Sequence, residues 1–425
     1  MIPIKPIPAF QKVSTEAGQD RPKDISDVSA LVQQNYLSPG ALNLQALPPL
    51  SLYIHFPWCV KKCPYCDFNS HEVKTSFDEL AYIKALRSDL EAALPMIWGR
   101  KIYSVFIGGG TPSLMSAQAL DQLLSDVRSL LVLDANAEIT MEANPGTFEM
   151  EKFRSYAQSG INRLSIGIQS FNSEHLSALG RIHNGDEAQR AVHIAQENFS
   201  NFNLDLMFAL PGQTLQQALH DVQTAINYQA PHLSLYHLTL EPNTLFAKFP
   251  PSLPDDDLSA DMQAQIQALM AQAGYQNYEV SAYAKPNHAS KHNKNYWEFG
   301  DYLGIGAGAH SKLSFPHRII RQVRHKQPKA YMEQTALGHS VQESVEIDRS
   351  DLGFEFMLNA LRLNDGFDVN LFYERTGLLL NTLEKPLNIA EQKGLIERDH
   401  RHIRPTTLGR LFLNDIQELF LSDAS

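Results

Sequence analysis

From residue 51 to about residue 237, short apolar runs alternate with longer segments in which apolar residues recur every three or four positions. Runs of four to six residues are typical of buried strands, and the wider spacing is typical of helices with one buried face. Strands that alternate with helices predict a parallel sheet. The predicted strands are residues 51–56, 104–107, 138–141, 163–168, 203–208 and 232–237, and the predicted helices are residues 76–94, 117–131, 186–198 and 215–228.

Small or polar motifs stand at the ends of these runs. A cysteine-containing loop follows the first run, a triple glycine follows the second, Glu142 follows the third and Gln169 the fourth. In parallel α/β sheets and barrels, functional sites lie at the carboxyl ends of the strands. Six such units predict an α/β fold of the partial (β/α)6, TIM-like barrel type, with an open side that admits a large substrate.

The pattern changes at both ends of the chain. Residues 1–48 are rich in Pro, Gln and Ser and lack a sustained period, which predicts an irregular N-terminal extension. We place the barrel at residues 49–245, a strand-like and aromatic extension of it at 246–345, and a further domain at 346–425. Helices followed by a short strand, a polar turn and a last helix from Leu408 predict a small, mainly helical, winged-helix-like C-terminal domain.

Composition narrows the class of protein. Hydrophobic residues make up 43% and charged residues 20% of the chain, as in globular proteins. No apolar stretch approaches the roughly 18 residues of a membrane span, and the start of the chain lacks a secretion signal. We therefore expect a soluble, cytoplasmic protein. The net charge of -11 disfavours nucleic acid as a partner, and we interpret the basic run Arg318, Arg321, Arg324 and Lys326 as a solvated strand face.

All three cysteines lie within eight residues, as Cys59, Cys63 and Cys66. Thiolates at this spacing can hold three irons of a cubane cluster and leave the fourth iron open, whereas electron-transfer clusters usually have four cysteine ligands. A structural zinc site is the first alternative, and it would need His55 or His71 as fourth ligand. Buried structural thiols are the second. An odd cysteine count without a signal peptide excludes a disulfide framework and indicates a reducing compartment.

Two further sets of residues predict a binding site at the strand ends. The triple glycine at 108–110, with Thr111, lets a ligand approach the backbone, although a tight turn is the plainer interpretation. A cofactor with a ribose diol, a carboxylate and a cationic sulfur needs acceptors, one cation and nearby anions. Each candidate alone is more often a surface or salt-bridge residue. Together, the acceptors, the cation and the anions that such a cofactor needs are supplied by Glu142, Gln169, Arg181 and Asp205.

The motifs over residues 51–311 resemble those of the radical S-adenosylmethionine (SAM) superfamily. The similar branch is that of the oxygen-independent coproporphyrinogen III oxidase (dehydrogenase) and the HemW-type haem chaperones, and the C-terminal region also resembles the domain appended in that branch. The segments that carry the resemblance are YIHFPWCVKKCPYCDF, FIGGGTPSL, MEANP, LSIGIQSF, LGRIH, LDLMFALPGQT, HLSLYHLTLEPNT and LGIGAGAHS.

This resemblance implies a cofactor set and its ligands. The three cysteines would ligate a [4Fe-4S] cluster whose open iron binds SAM, and an electron from the reduced cluster would cleave SAM to methionine and a 5'-deoxyadenosyl radical. Such chemistry belongs to the cofactor, while the protein supplies orientation and exclusion of water. The residues that match SAM-pocket positions are Tyr53, Tyr65, Gly109, Gly110, Thr111, Glu142, Gln169, Arg181 and Asp205.

Two details separate the branches. The dehydrogenases carry a further cysteine two residues beyond the cluster motif, where this chain has Phe68. The haem chaperones carry the motif His-Asn-x-x-Tyr-Trp, and this chain matches it with His292, Asn293, Tyr296 and Trp297. Of these, the candidate haem residues are His292, Tyr296 and Trp297. By that resemblance these three residues would bind haem, with His292 as axial ligand and His310 as a second candidate. The residue types alone also fit an aromatic packing cluster in which His292 makes a local hydrogen bond.

The sequence therefore predicts a haem chaperone that binds haem and transfers it to an acceptor haemoprotein, carrying a [4Fe-4S] cluster and SAM. It also predicts an electron donor for the cluster as partner, and it leaves peripheral contact with membrane-bound acceptors open. The alternative is an oxygen-independent coproporphyrinogen III dehydrogenase of porphyrin biosynthesis, an activity we do not expect here because of Phe68. A radical enzyme acting on nucleic acid is disfavoured by the net charge and by the lack of a second cysteine cluster.

Overall fold

The structure of the protein is a computed structural model that describes residues 42–74, 76–146 and 152–421. Most of the predicted extension, residues 1–41, lies outside the described residues. The strands are β1 (Leu50–Phe56), β2 (Trp58–Cys59), β3 (His71–Glu72), β4 (Lys101–Gly109), β5 (Val132–Ala143), β6 (Arg163–Gln169), β7 (Phe202–Phe208), β8 (His232–His237), β9 (Gln276–Asn277), β10 (Ala282–Ala284), β11 (Asp301–Ile305), β12 (His310–Phe315), β13 (Arg318–Arg324), β14 (Val341–Glu346), β15 (Phe367–Asp368), β16 (Ile396–Arg398) and β17 (His402–Pro405).

Helices follow most of these strands, and short 3-10 helices lie at Leu94–Met96, Pro112–Leu114 and Leu380–Leu383. Several helices begin at a capping side chain; Thr214 and Gln217, for example, form a capping box. The α-helices are α1 (Glu79–Ala93), α2 (Ala117–Leu130), α3 (Phe153–Ser159), α4 (Ser173–Ala178), α5 (Gly185–Asn198), α6 (Leu215–Asn227), α7 (Leu245–Lys248), α8 (Asp256–Gln272), α9 (Lys291–Trp297), α10 (Pro328–Ala336), α11 (Leu352–Ala360), α12 (Val369–Thr376), α13 (Glu384–Gln392), α14 (Thr407–Leu411) and α15 (Leu413–Glu418).

One large sheet forms the centre of the molecule. Its order is β14-β13-β12-β11-β1-β4-β5-β6-β7-β8-β10-β9, and the seven strands from β11 to β8 are parallel. The six predicted strands are all present and adjacent. A seventh parallel strand, β11, joins β1 on its other side. The described sheet ends at β14 and β9 instead of closing on itself, which confirms the prediction of a partial, open barrel.

The two faces of the parallel strands differ in character. Because side chains alternate along a strand, Leu52 and Ile54 of β1 lie on the face that packs against helices and enter the main hydrophobic core. Tyr53 and His55 lie on the opposite, concave face. The same alternation on β4 places Ser104 on the concave face. Polar side chains thus line the inside of the partial barrel.

The C-terminal region is mainly helical and has its own small sheet. Strands β15, β17 and β16 form an antiparallel sheet beside helices α11 to α15, as expected for a winged-helix-like domain. Its core is centred on Phe356, whose ring contacts Phe367 and Phe372. Phe299, which follows α9, joins the same core through Phe356. Throughout the described ranges, no helix combines the length and the apolar character that crossing a bilayer requires.

The basic run on β13 corrects one expectation. Arg324 is fully buried and its Nε lies 3.2 Å from Asp89 Oδ1, while Arg321 pairs with Glu355. The prediction of a solvated strand face was therefore wrong for Arg324. A second buried ion pair links Asp301 to Lys312, with 2.9 Å between the nitrogen and oxygen. By contrast, the outer strand β14 is exposed at five of its six positions.

Candidate cofactor site

The loop that carries the cysteines lies at the carboxyl end of β1, between the short parallel strands β2 and β3. Cys59 is buried on β2, whereas Cys63 and Cys66 are half-buried in the loop. Backbone hydrogen bonds hold the loop closed: the amide of His71 donates to Pro57 O at 2.7 Å and that of Val73 to Cys59 O at 2.9 Å. The three thiols are therefore presented together at the mouth of the partial barrel.

Arg181 reaches this loop from the segment between α4 and α5. Its Nη1 donates to Cys63 Sγ at 3.6 Å, and its Nη2 donates to Asn144 Oδ1 at 2.7 Å and to Gly167 O at 2.9 Å. A guanidinium beside a sulfur favours the thiolate, the form that binds metal. In the structure, burial raises the pKa of the thiols of both Cys59 and Cys66.

The zinc alternative requires a fourth ligand that the structure does not provide. Both ring nitrogens of His55 are engaged, because Nε2 donates to Asn69 O at 2.9 Å and Nδ1 accepts from Tyr53 OH at 2.9 Å. Among the residues that the structure describes, no three His, Cys, Asp or Glu side chains are arranged to hold a single metal ion, so His71 completes no such site. A cubane cluster does not need three thiolates on one ion, because each thiolate binds a different iron.

The glycine-rich turn after β4 fastens the cysteine loop. The amides of Gly110 and Thr111 donate to Phe56 O and Trp58 O, each at 2.7 Å, and the amide of Gly109 donates to Glu142 Oε2 at 2.9 Å. A Cβ atom on Gly110 would lie 2.5 Å from Trp58 O, so glycine is required for this close approach. Since these amides are all used within the protein, a ligand at this turn can contact only the carbonyl side.

Two carboxylates face the concave side next to this turn. Glu142 and Asp205 are half-buried, although their neighbours along the strands are buried, as expected for side chains that line an open cavity. Burial, together with the negative charge of Asp205, raises the pKa of Glu142 to about 7. Burial also raises the pKa of Asp205, which accepts hydrogen bonds from Ser165 and Asn203. Within the described part of the chain, the pair has no cationic partner at hydrogen-bond distance, so a cationic ligand would stabilise it.

Gln169 and Tyr65 complete the predicted pocket. Gln169 ends β6 with φ of 67°, a left-handed conformation that is uncommon for a residue with a side chain. The Tyr65 ring lies 6.3 Å from the ring of Phe246, between centroids, and its hydroxyl interacts with Arg181. The structure thus places the nine residues predicted for SAM around one end of the barrel, beside the cysteines.

The predicted haem residues on α9 lie nearer the amino-terminal ends of the strands, and the His292 ring lies 6.5 Å from the ring of Tyr53, a predicted SAM residue, between centroids. His292 on α9 contacts Ser104, whose Oγ is 2.9 Å from His292 Nδ1, and its amide donates to Glu138. Ser104 is four residues before Gly108 along β4, which corresponds to about 13 Å. Helix α9 therefore covers the amino-terminal end of the barrel, whereas the cysteines lie at the carboxyl-terminal end.

The His292 ring is enclosed and neutral. It is 2% exposed and lies between the rings of Phe106 and Tyr296, each 5.0 Å away between centroids. Burial, with a smaller effect of Arg163, lowers its pKa to about 3. Because Ser104 donates its own proton to Ser51, Nδ1 of His292 is the donor to Ser104. Nε2 is then the bare nitrogen; it is buried, and none of the residues that the structure describes forms a hydrogen bond with it.

The other haem candidates differ in their surroundings. Tyr296 contacts Tyr302, with 4.5 Å between ring centroids, and the guanidinium of Arg362 lies 4.2 Å from the Trp297 ring. These contacts agree with the alternative of an aromatic packing cluster. His310 is exposed at the start of β12. The roles of all four residues in haem binding stay predictions.

Sequence reasoning did not single out two contributors to this site. Asn144 joins Arg181 to the glycine-rich turn, because its Nδ2 also donates to Thr111 Oγ1 at 3.0 Å. Its place in the Met-Glu-Ala-Asn-Pro motif was the available signal. Asn69 anchors the cysteine loop by donating to the carbonyls of Ala307 and Lys326, each at 2.9 Å. No local pattern marks a contact between residues so distant in sequence.

Comparisons with known proteins agree with this geometry. The model of the radical SAM superfamily matches residues 53–225, and the model of the HemN C-terminal domain matches residues 347–412. The heme chaperone HemW of Haemophilus influenzae is 49% identical over 383 residues, which cover 89% of this chain and 99% of that protein. The protein of the same name from Escherichia coli K12 is 48% identical over 379 residues, with the same two coverages.

More distant relatives extend the comparison. Bovine radical S-adenosyl methionine domain-containing protein 1, mitochondrial, is 32% identical over 386 residues, covering 88% of this chain and 87% of that protein. The structure of coproporphyrinogen III oxidase (HemN) from Escherichia coli superposes with a TM-score of 0.76 at 24% identity, covering 92% of this chain and 93% of that one, so the two share a fold. This chain therefore belongs to the radical SAM superfamily and, within it, to the family of proteins named heme chaperone HemW.

Proposed function

We propose that the protein binds haem and transfers it to an acceptor haemoprotein, and that it carries a [4Fe-4S] cluster and SAM. The observation that carries this proposal is the identity of 49% over nearly the full length of a protein named heme chaperone HemW. The mouth of the barrel supports the cofactor assignment, since three thiols, one guanidinium and two carboxylates meet there.

Different residues at the mouth of the barrel would bind the cluster and SAM. Cys59, Cys63 and Cys66 would ligate three irons of the cluster, and Arg181 is placed to bind the carboxylate of SAM. Glu142 and Asp205 lie where anions would stabilise the cationic groups of SAM. When bound, the two cofactors supply one-electron chemistry at the SAM sulfonium. The protein orients them and excludes water from the concave face.

Haem binding is the finer part of the proposal. The predicted ligand, His292, has a neutral ring and an unpartnered Nε2, as an axial ligand requires. Its ring is enclosed, however, so iron can reach Nε2 only if α9 moves away from Ser104 and Glu138. The predicted partners are thus haem, an acceptor haemoprotein and a one-electron donor for the cluster.

A haem titration of the full chain tests this function. We expect saturable binding of one haem per chain, followed by the Soret absorbance, in anaerobically purified protein with the cluster present and with it removed. Loss of the Soret change in His292→Ala alone would assign the ligand to that residue. A wild-type protein that binds no haem would contradict the proposed function.

A second candidate function is the dehydrogenase activity, because this chain shares its fold with coproporphyrinogen III oxidase. At the position of the additional cysteine of the dehydrogenases this chain has Phe68, which is exposed and cannot ligate or transfer a hydrogen atom as a thiol does. With reconstituted cluster and SAM, we expect no conversion of coproporphyrinogen III. Product detected by chromatography would establish the second candidate in place of the first.

A further inference from the structure

Haem is a flat apolar macrocycle with two carboxylates on one edge. A surface that takes it without rearrangement should offer exposed apolar side chains beside cations. The enclosed His292 ring does not offer such a surface, since it is 2% exposed. The mouth of the barrel does, in three segments that we call the mouth rim: residues 60–68, 179–182 and 245–249.

The three segments of the mouth rim meet at Pro64. The amide of Phe246 donates to Pro64 O at 3.0 Å, which holds α7 against the cysteine loop. A Cβ atom on Gly180 would lie 2.9 Å from Pro64 Cδ, so the segment before Arg181 packs on the other side of the same proline. The three segments are therefore packed against one another at this proline.

This surface is apolar and exposed. Beneath it, Phe246, Leu179 and Tyr65 belong to a small local core. The outward residues do not belong to that core, and large apolar side chains grouped on a surface commonly mark a binding site. The exposed fractions are 46% for Val60, 41% for Phe68, 55% for Ile182, 59% for Leu245 and 67% for Phe249.

The charge of the mouth rim is the reverse of that of the whole chain. Lys61, Lys62 and Lys248 lie among the apolar residues, and Asp67 is the one acidic residue in the three segments, in a chain of net charge -11. Lys248 Nζ lies 5.3 Å from the centre of the Phe249 ring. Lys62 Nζ donates to Phe68 O at 3.0 Å. Ammonium groups beside exposed rings complement a ligand that is flat, apolar and anionic at its edge.

We propose that haem docks on the mouth rim, with its macrocycle against Ile182, Leu245 and Phe249 and its carboxylates toward Lys61 and Lys248. This inference rests on the proposed haem-binding function and names a site for it. It places haem at the same end of the barrel as the cysteines and leaves α9 undisturbed. Haem docked in this way needs no contact with His292.

Haem titrations of variants test this site. The rim variant is Leu245→Glu with Phe249→Glu, and a charge variant is Lys61→Glu with Lys248→Glu; all four side chains are exposed, so both variants should fold, which circular dichroism checks. Matched controls are Trp98→Glu and Leu337→Glu, exposed apolar positions outside the rim. We expect haem affinity to fall at least tenfold in both rim variants and to change less than threefold in the two controls.

The outcomes separate this inference from the function on which it rests. If the wild type binds no haem, both the proposed function and the mouth-rim site are wrong. If the wild type binds haem and the rim variants keep its affinity within threefold, the mouth rim is not the site, but the proposed function stands. The rim would then serve another occupant: a second copy of the chain, if sedimentation shows that the variants lose self-association, or a membrane surface, if they lose binding to phosphatidylglycerol vesicles. Either result with haem affinity unchanged overturns the proposal.

Discussion

Arg181 places one terminal nitrogen 3.6 Å from the sulfur of Cys63 while its other terminal nitrogen holds Asn144 and Gly167. A single cation thus links the cysteine loop to the ends of β5 and β6. Its position beside Cys63, a predicted cluster ligand, is also the position at which the carboxylate of SAM is expected. The guanidinium would then have two roles, which a substitution can separate.

Arg181→Ala should keep the cluster and weaken SAM binding. The three cysteines remain, whereas a hydrogen bond to a charged group contributes about 1.5–3 kcal/mol, which corresponds to a loss of affinity of at least about tenfold. The change that SAM causes in the electron paramagnetic resonance spectrum of the reduced cluster measures this. Arg190→Ala, an exposed position on α5, is the control. Equal SAM affinity in both variants would show that Arg181 only shapes the loop.

Glu142 should make both stability and SAM binding depend on pH near 7. Its pKa is raised to about 7, so the folded protein binds a proton more tightly than the unfolded chain does. The neutral form persists in the folded state between the ordinary value and about 7, and stability falls as pH rises through that window. The loss is at most about 3 kcal/mol, since 1.36 kcal/mol corresponds to one unit of pKa.

Thermal unfolding of cluster-free protein at pH 5.5 and 8.5 measures the part of this loss that falls between pH 5.5 and about 7, roughly 2 kcal/mol, and Glu142→Gln should show less of it. A cationic ligand favours the carboxylate, so SAM affinity should rise with pH across the same range and release a proton on binding. Calorimetry in buffers of different ionisation enthalpy detects that proton. A pH dependence that persists unchanged in Glu142→Gln would assign it to another group.

Gly110→Ala should displace the cysteine loop. The new Cβ atom would meet Trp58 O at 2.5 Å, and this oxygen accepts the hydrogen bond that fixes the loop. We expect fewer irons and sulfides per chain after anaerobic reconstitution. Gly99→Ala is a control for the mutation itself, because a Cβ atom there meets nothing within 4 Å although φ is +73°. Full cluster content in Gly110→Ala would mean that the loop adapts without cost.

Asp301→Asn should destabilise the fold without touching the cofactor site. Burial alone would raise the pKa of Asp301, but Lys312 and Arg100 outweigh it and hold that pKa below its ordinary value. Stability from this carboxylate is complete above its unfolded pKa, near 3.9, and is lost on further acidification. At neutral pH, an unpaired Lys312 should cost about 3–5 kcal/mol.

Urea unfolding measures that cost. Glu343→Gln on the exposed strand β14 should change stability by less than about 0.5 kcal/mol. Adding Lys312→Met to Asp301→Asn should recover part of the loss, because the buried charge is then removed as well. No recovery would mean that the carboxylate acts mainly through its hydrogen bonds to Ser314.

Local periodicity was sufficient to predict the parallel strands. The apolar run that became β6 lies between turn-forming residues, and its observed bounds, Arg163–Gln169, exceed the predicted run by a single residue. Motifs at the strand ends predicted the mouth of the barrel for the same reason, since every parallel strand ends at the same edge. Glu142 was predicted in this way and Asp205 from its place on the fifth run, although neither lies near the cysteines in sequence.

Long-range pairing was beyond the reach of these patterns. Strand β11 is five residues long, and its place beside β1 depends on contacts about 250 residues apart along the chain. Burial of Arg324 depends in the same way on Asp89, far away on α1. The enclosure of His292 depends on Ser104 and Glu138, which sit on the concave face; a helical motif alone does not show which end of the barrel it covers.

The exposed strand β14 bears on how copies of this chain can associate. It ends the described sheet, so its outer backbone groups are available to a further strand. Parallel, in-register pairing with the same strand of a second copy would place Glu343 and Glu346 opposite their own counterparts, and like charges across strands repel. Repulsion between these carboxylates therefore disfavours parallel, in-register association of two copies along β14.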